Sequence, residues 1–175
     1  LRKIQDHIEQ FYGIKITHVT IYHWVKRFTK LMNAYVESLN PQVSGLWHVD
    51  EQAIKSKGQE AWCWNVIDSE TRFLIANNIT KGRSIPEARD IMKKAKEVRY
   101  KPNVVITDGL LSYEKAIRRE FGRDKTTEHI RLESIRKKPN NNKVERFHGT
   151  FRERDKVIRG FKSIKTSQEW ADGFK

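Results

Sequence analysis

Leu46-Trp47-His48-Val49-Asp50-Glu51-Gln52-Ala53-Ile54-Lys55 marks the point where the chain turns from helical spacing to strand spacing. A Lys57-Gly58 turn follows, then Ala61–Asp68, in which Trp62, Trp64 and Val66 fall on one side. Ser69-Glu70 turns the chain again into Arg72–Asn77. Three consecutive strands with short connections predict an antiparallel meander. Tryptophans at alternate strand positions read first as core, and only second as platforms for stacking bases.

Downstream the period changes. Ser84 caps a helix running to Tyr100, with Pro86 in its first turn and Ile91, Ala95 and Val98 on one face. Asn103–Thr107 is a short continuous apolar run, the pattern of a central strand. Asp108-Gly109 leads into a helix through Phe121, and Thr126–Ile130 reads as a further strand. Asn140-Asn141-Asn142-Lys143-Val144-Glu145-Arg146-Phe147-His148 opens a last helix, ended by Gly160. Asn142 is its expected N-cap, Glu145 stands where a capping-box acid would sit, and Val144, Phe147, Phe151 and Ile158 form its apolar stripe. Three strands, helix, strand, helix, strand, helix is the element order of an α/β, RNase H-like fold: a mixed five-stranded sheet flanked by helices.

Upstream, Ile4, Ile8 and Phe11 form one helical stripe, and Ile21, Trp24, Val25 and Phe28 another, with Gly13 turning between them and Thr17 capping the second. This is the spacing of a small N-terminal helix-turn-helix, whose outward positions His18, Thr20, Tyr22, His23, Lys26 and Arg27 would face DNA. Asn40-Pro41 closes the segment. The expected organisation is a DNA-binding segment and linker at 1–40 and a core at 43–175. The chain opens at Leu1, and both units are expected to be incomplete, the first at its start and the second at its end.

The 175 residues carry a net charge of +13, which favours a polyanionic partner. Between Arg131 and Lys165, 12 Lys/Arg stand against 4 Asp/Glu, so eight of the thirteen charges lie in the segment that carries Glu145. Arg136, Lys137, Lys138, Lys143 and Arg146 are the candidate phosphate contacts there. The lone Cys63 excludes an intrachain disulfide and suits a reducing compartment. No apolar run is long enough to span a membrane, and no signal-peptide pattern is present, so no membrane partner is expected.

Asp50, Asp108 and Glu145 form an Asp…Asp…Glu series spaced by 58 and 37 positions, with Arg152 seven places after the glutamate. That series, with the phrases Trp47-His48-Val49-Asp50-Glu51, Thr107-Asp108-Gly109-Leu110, Asn141 through His148 and Arg159-Gly160-Phe161-Lys162-Ser163, resembles the DDE transposases of bacterial and archaeal insertion sequences, closest to the insertion-sequence-six family with its integrase-type core.

The resemblance implies metal-dependent cleavage of DNA at transposon ends and transfer of the freed 3′-hydroxyl to target DNA. It implies two Mg²⁺ or Mn²⁺ ions held by Asp50, Asp108 and Glu145, with Arg152 on a phosphate. It further implies terminal inverted repeats and target DNA as double-stranded partners, a homodimer or larger assembly, and a cytoplasmic, nucleoid-associated location. Gathering three carboxylates is costly without a cation, and hard oxygen ligands select Mg²⁺ or Mn²⁺ over zinc. Among the other acids, Glu51 is expected on the opposite strand face from Asp50, and Asp68 is the leading substitute for it. The same totals fit a non-catalytic DNA-binding remnant of a transposase, and fold alone does not separate a transposase from another RNase H-like nuclease.

Overall fold

The computed structural model describes residues 1–98, 100–122, 126–132, 141–158 and 160–174. Two compact units divide at Asn40/Pro41. Arg136, Lys137, Lys138 and Arg159 lie outside the described residues.

The first unit is a pair of helices, α1 (Arg2–Tyr12) and α2 (His18–Ser38). Gly13 ends α1 in the left-handed region at φ 66°, its N–H bonded to the Glu9 carbonyl. Thr17 caps α2, its hydroxyl accepting from the Thr20 N–H at 3.1 Å. The Gln5 side chain accepts from the His18 N–H at 3.1 Å and so joins the two helices. Only Ile21 of the expected α2 stripe is buried; Trp24, Val25 and Phe28 are 44%, 49% and 56% exposed. Two short facing surfaces do not enclose side chains of that size.

The second unit is built on a five-stranded sheet of order β3-β2-β1-β4-β5. Strands β1 (Leu46–Ser56), β2 (Gln59–Asp68) and β3 (Leu74–Thr80) form the antiparallel meander. Strands β4 (Val104–Thr107) and β5 (Glu128–Arg131) add in parallel. The β1–β2 hairpin turns on Lys57 and Gly58, both at positive φ, as a two-residue hairpin loop of the primed type requires.

Side chains alternate across this sheet and bury two separate cores. Trp47, Val49, Trp64, Val66 and Val105 pack beneath α3 (Ile85–Ala95) and α4 (Leu111–Phe121). Edge-on aromatic pairs lock that layer, Trp64 with Tyr113 at 5.6 Å and Trp47 with Phe121 at 5.9 Å, each worth about 0.5–1.5 kcal/mol beyond burial. Trp64 is fully buried, so the core reading of that tryptophan holds. On the other face Ile54, Ala61, Cys63 and Ile79 meet Phe151 of α5 (Asn142–Ile158), Phe161, and Ala171 of α6 (Ile164–Ala171).

The parallel pairing of β1 with β4 positions the site. Its last registered pair is Val49 with Thr107, so Asp50 and Asp108 come next, side by side. Asp50 is not at a strand end, because β1 runs on to Ser56; it stands where the shorter neighbour stops.

Candidate active site

On β1, even-numbered Asp50 faces α5 and odd-numbered Glu51 faces α3 and α4, as strand alternation requires. Their carboxylates nevertheless converge. One oxygen each from Asp50, Glu51 and Asp108 lie within 4.8 Å of one another, the one such acidic cluster among the described residues. Glu51 reaches the group from the α4 side, where Tyr113 and Arg83 hold its carboxylate. The expectation that Glu51 lies on the opposite strand face from Asp50 holds, and its carboxylate joins the acidic group all the same.

Each acid is held. An oxygen of Asp50 accepts from the Glu51 N–H at 2.9 Å, and Asp108 accepts from the Leu110 N–H at 3.0 Å. Glu51 accepts from the Tyr113 hydroxyl and, at 2.6 Å, from the Arg83 guanidinium, which also lies 4.5 Å from the centre of the Trp62 ring. Burial, then the neighbouring charges of Glu51, Asp108 and Glu145, pushes the Asp50 carboxyl up to about 8. Burial also raises Glu51, against the pull of Tyr113 and Arg83.

Glu145 sits in the first turn of α5, exposed, and its oxygens are not among the three that cluster. Its charge still contributes to the rise at Asp50. The N-cap falls one residue earlier than expected: Asn141, not Asn142, offers its carbonyl to the Val144 and Glu145 N–H groups at 3.1 Å. Two ties hold this end of the helix on the sheet. The Asn141 side chain meets His48 Nδ1 at 3.0 Å, and Lys143 Nζ donates to the Ser69 carbonyl at 2.6 Å and hydroxyl at 2.8 Å. Lys143 is thereby engaged in anchoring α5, whereas Arg146 and Arg152 are exposed.

His148, one turn after Glu145, is 4% exposed, a burial that its place in the sequence does not announce. Its Nε2 lies 3.1 Å from Asn65 Nδ2, and its Nδ1 lies 3.7 Å from Asp50 Oδ2. The Asn65 amide also donates to the Cys63 carbonyl at 3.3 Å, which fixes its NH₂ end. Nε2 is then the acceptor, and the ring proton sits on Nδ1, facing Asp50. Burial, then the Arg152 charge, lowers the imidazole to about 4, so it is neutral near pH 7.

Asp68 is excluded as a substitute. One of its oxygens accepts from the Ser44 N–H and hydroxyl at 2.7 and 2.6 Å, the other from the Thr71 N–H and hydroxyl at 2.8 and 2.7 Å. Burial pushes this carboxyl up, but those donors outweigh it and hold it below the ordinary range. It is a turn-building acid.

Three oxygen-donor acids gathered beside a parallel strand pair, on a sheet of order 3-2-1-4-5 with helices on both faces, define an RNase H-like fold carrying an acidic centre. Residues 44–175 match the DDE domain of IS240-type transposases, and the chain belongs to that family of insertion-sequence DDE transposases. It is 28% identical over 96 residues to the transposase for insertion sequence-like element IS431mec of Staphylococcus aureus. The same figures relate it to the transposase for insertion sequence element IS257 in transposon Tn4003 of that species. Each match covers 55% of this chain and 42% of the relative, so the chain spans less than half the length of the curated relatives it matches. A chain of the simian T-cell lymphotropic virus intasome in complex with PP2A regulatory subunit B56 gamma shares the fold, at a TM-score of 0.50 and 16% identity, over 62% of this chain and 39% of that one. No helix among the described residues is long and apolar enough to cross a membrane.

Proposed function

We propose that this chain carries the catalytic core of a DDE transposase, which cuts DNA at transposon ends and joins the freed 3′-hydroxyl to target DNA. The observation that carries the reading is the convergence of Asp50, Glu51 and Asp108 within 4.8 Å, on a domain of the DDE family. Two carboxylates at such a distance repel by about 3–4 kcal/mol at an effective dielectric near 20. Arg83 offsets Glu51 alone. An uncompensated, oxygen-only donor set of this kind fits a hard divalent cation, Mg²⁺ or Mn²⁺.

Asp50 and Asp108 would hold the metal, with Glu145 completing a second position from α5. When bound, a pair of such ions activates the attacking oxygen and stabilises the leaving one. The rest falls to the protein's own groups. His148 faces Asp50 with a neutral N–H at 3.7 Å, close enough to bond the carboxylate after a small shift. Glu51, braced by Tyr113 and Arg83, adds a third carboxylate beside the two aspartates and so raises the cost of leaving them without a cation. Arg152 and Arg146 offer planar forks to backbone phosphates. The α1–α2 pair supports a sequence-reading role for Tyr22, His23 and Arg27, which are exposed, with His18, Thr20 and Lys26 beside them at half exposure. The DNA partners would be terminal inverted repeats and target duplex, and the working form a homodimer or larger assembly.

The test is Mg²⁺-dependent strand transfer on a labelled transposon-end duplex. Asp50→Asn, Asp108→Asn and Glu145→Gln are each expected to abolish transfer while DNA binding persists. Full transfer by any one of them would remove that residue from the catalytic set. Absence of divalent binding by the wild-type chain would leave a DNA-binding protein without catalysis.

A further inference from the structure

The far end of the β1–β2 hairpin carries a second constellation of charge that the acidic centre does not use. Backbone bonds from Lys57 N–H to the Phe161 carbonyl at 2.6 Å, and from Phe161 N–H to the Lys55 carbonyl at 3.3 Å, tie this hairpin to the turn that follows α5. The tie leaves a concave pocket of about 520 Å³ beside it. Four lysines line that pocket, Lys57, Lys81, Lys162 and Lys165, against the single acid Glu60. All four are exposed, and none forms an ion pair within 4.0 Å among the described residues. Their charges come from three separate places in the chain. A merely solvated helix face would not gather them around one concavity.

Two local features add to this. Lys57 adopts φ 54°, a left-handed conformation that costs any residue bearing a Cβ and for which the turn would favour Asn or Gly. The fold therefore keeps a cation at a position where its backbone preference argues for another residue. The first turn of α6, capped by Ser163, opens onto the same pocket and directs its partially positive end there.

Resting on the reading above that the partner is DNA, we infer that this lysine pocket is a second DNA-binding surface, which holds the phosphate backbone of a duplex away from the scissile bond. Ser56 stands six positions beyond Asp50 on β1, roughly 20 Å at the rise of an extended strand. A phosphate held in the pocket is not the one attacked at the acidic centre. The pocket meets phosphate alone, so it adds affinity and register without sequence preference.

The experiment uses the whole 175-residue chain and fluorescence anisotropy with a labelled duplex of arbitrary sequence, titrated at several salt concentrations. One variant changes Lys57, Lys81, Lys162 and Lys165 to Gln. A control of equal charge change converts the exposed Lys93, Lys115, Arg119 and Lys156 to Gln, and thermal melting verifies that both fold. The pocket variant is expected to bind at least tenfold more weakly near 100 mM salt. Its slope of log affinity against log salt should flatten by roughly 2–4, at about 0.9 for each phosphate no longer neutralised. The control should stay within twofold of wild type. Equal weakening in both variants, or none in the pocket variant, would overturn the pocket while leaving DNA binding intact. A wild-type chain that fails to bind duplex at all would overturn the DNA reading itself, and the pocket with it.

Discussion

His148 Nδ1 lies 3.7 Å from Asp50 Oδ2, while Asn65 occupies the other ring nitrogen at 3.1 Å. The approach to Asp50 is longer than a hydrogen bond, so the neutral ring stands beside the carboxyl on the α5 side of the acidic centre and can donate to it after a small shift. Replacing His148 with Ala should weaken Mn²⁺ binding by roughly tenfold or more, the usual cost of removing a group that orients a metal ligand. His148→Asn, whose amide nitrogen can stand near the Nδ1 position, should recover part of it. Calorimetric titration reads both, and equal affinities for wild type and His148→Ala would remove the histidine from this role.

The elevated Asp50 carboxyl gives a pH signature in the metal-free protein. Its folded value near 8 exceeds the ordinary 3.8, so the folded chain keeps a proton that the unfolded chain has lost between those limits. The associated stability is fully present below about pH 4 and disappears as pH rises through 8. The slope is at most ~1.4 kcal/mol per pH unit. Asp50→Asn removes it. The melting-temperature advantage of Asp50→Asn over wild type in EDTA should therefore widen from about pH 5 to about pH 8 and then level off. A constant difference would contradict the assignment.

Divalent binding should release that proton. Calorimetry near pH 7 in two buffers of different ionisation enthalpy should show close to one proton leaving per site filled in the wild type, and none in Asp50→Asn.

Glu51 stands differently from its neighbour because Tyr113 and Arg83 already compensate it. Glu51→Gln should change stability by no more than about 1 kcal/mol, since its amide oxygen still accepts from Tyr113, Arg83 is exposed to water, and the repulsion from Asp50 and Asp108 is relieved. Its effect on Mn²⁺ affinity should be smaller than that of Asp50→Asn. Urea melts together with metal titration separate the two, and the reverse ranking of affinities would make Glu51 a principal ligand.

Asp68→Asn should destabilise by about 2–4 kcal/mol, because a carboxylate accepting four donors from Ser44 and Thr71 loses charge-assisted bonds. Metal affinity should be unchanged in the folded fraction. A fall in affinity comparable to that of Asp108→Asn would return Asp68 to the site.

Much of this was legible in the residues themselves. Strand alternation around Trp47, Val49, Trp64 and Val66, and the apolar run Val104–Ile106, announce the sheet, because burial on a pleated surface leaves a period-two trace. The adjacency of Asp50 and Asp108 follows from the same strands once they pair in parallel. What escaped depends on distances that no local pattern encodes. Alternation puts Glu51 on the far face, and nothing in the spacing says that its carboxylate still comes within reach of Asp50 and Asp108. The His148 tautomer is set by Asn65, 83 positions away. Helix α6 is eight residues long, too short for periodicity to separate it from a loop. The exposed stripe of α2 shows the converse: a strong amphipathic pattern states what a face would bury, not that anything covers it.

Helix α5 does not stand alone over the acids. Phe151 meets the rings of Trp170 at 4.6 Å and Phe174 at 5.1 Å, and Phe147 meets Phe174 at 6.0 Å. These rings seat the middle of α5 on the sheet, while Asn141 and Lys143 fasten the end that carries Glu145. Trp170 and Phe174 follow α5 in the chain, so the support of the helix that presents Glu145 is completed only by residues that come after it.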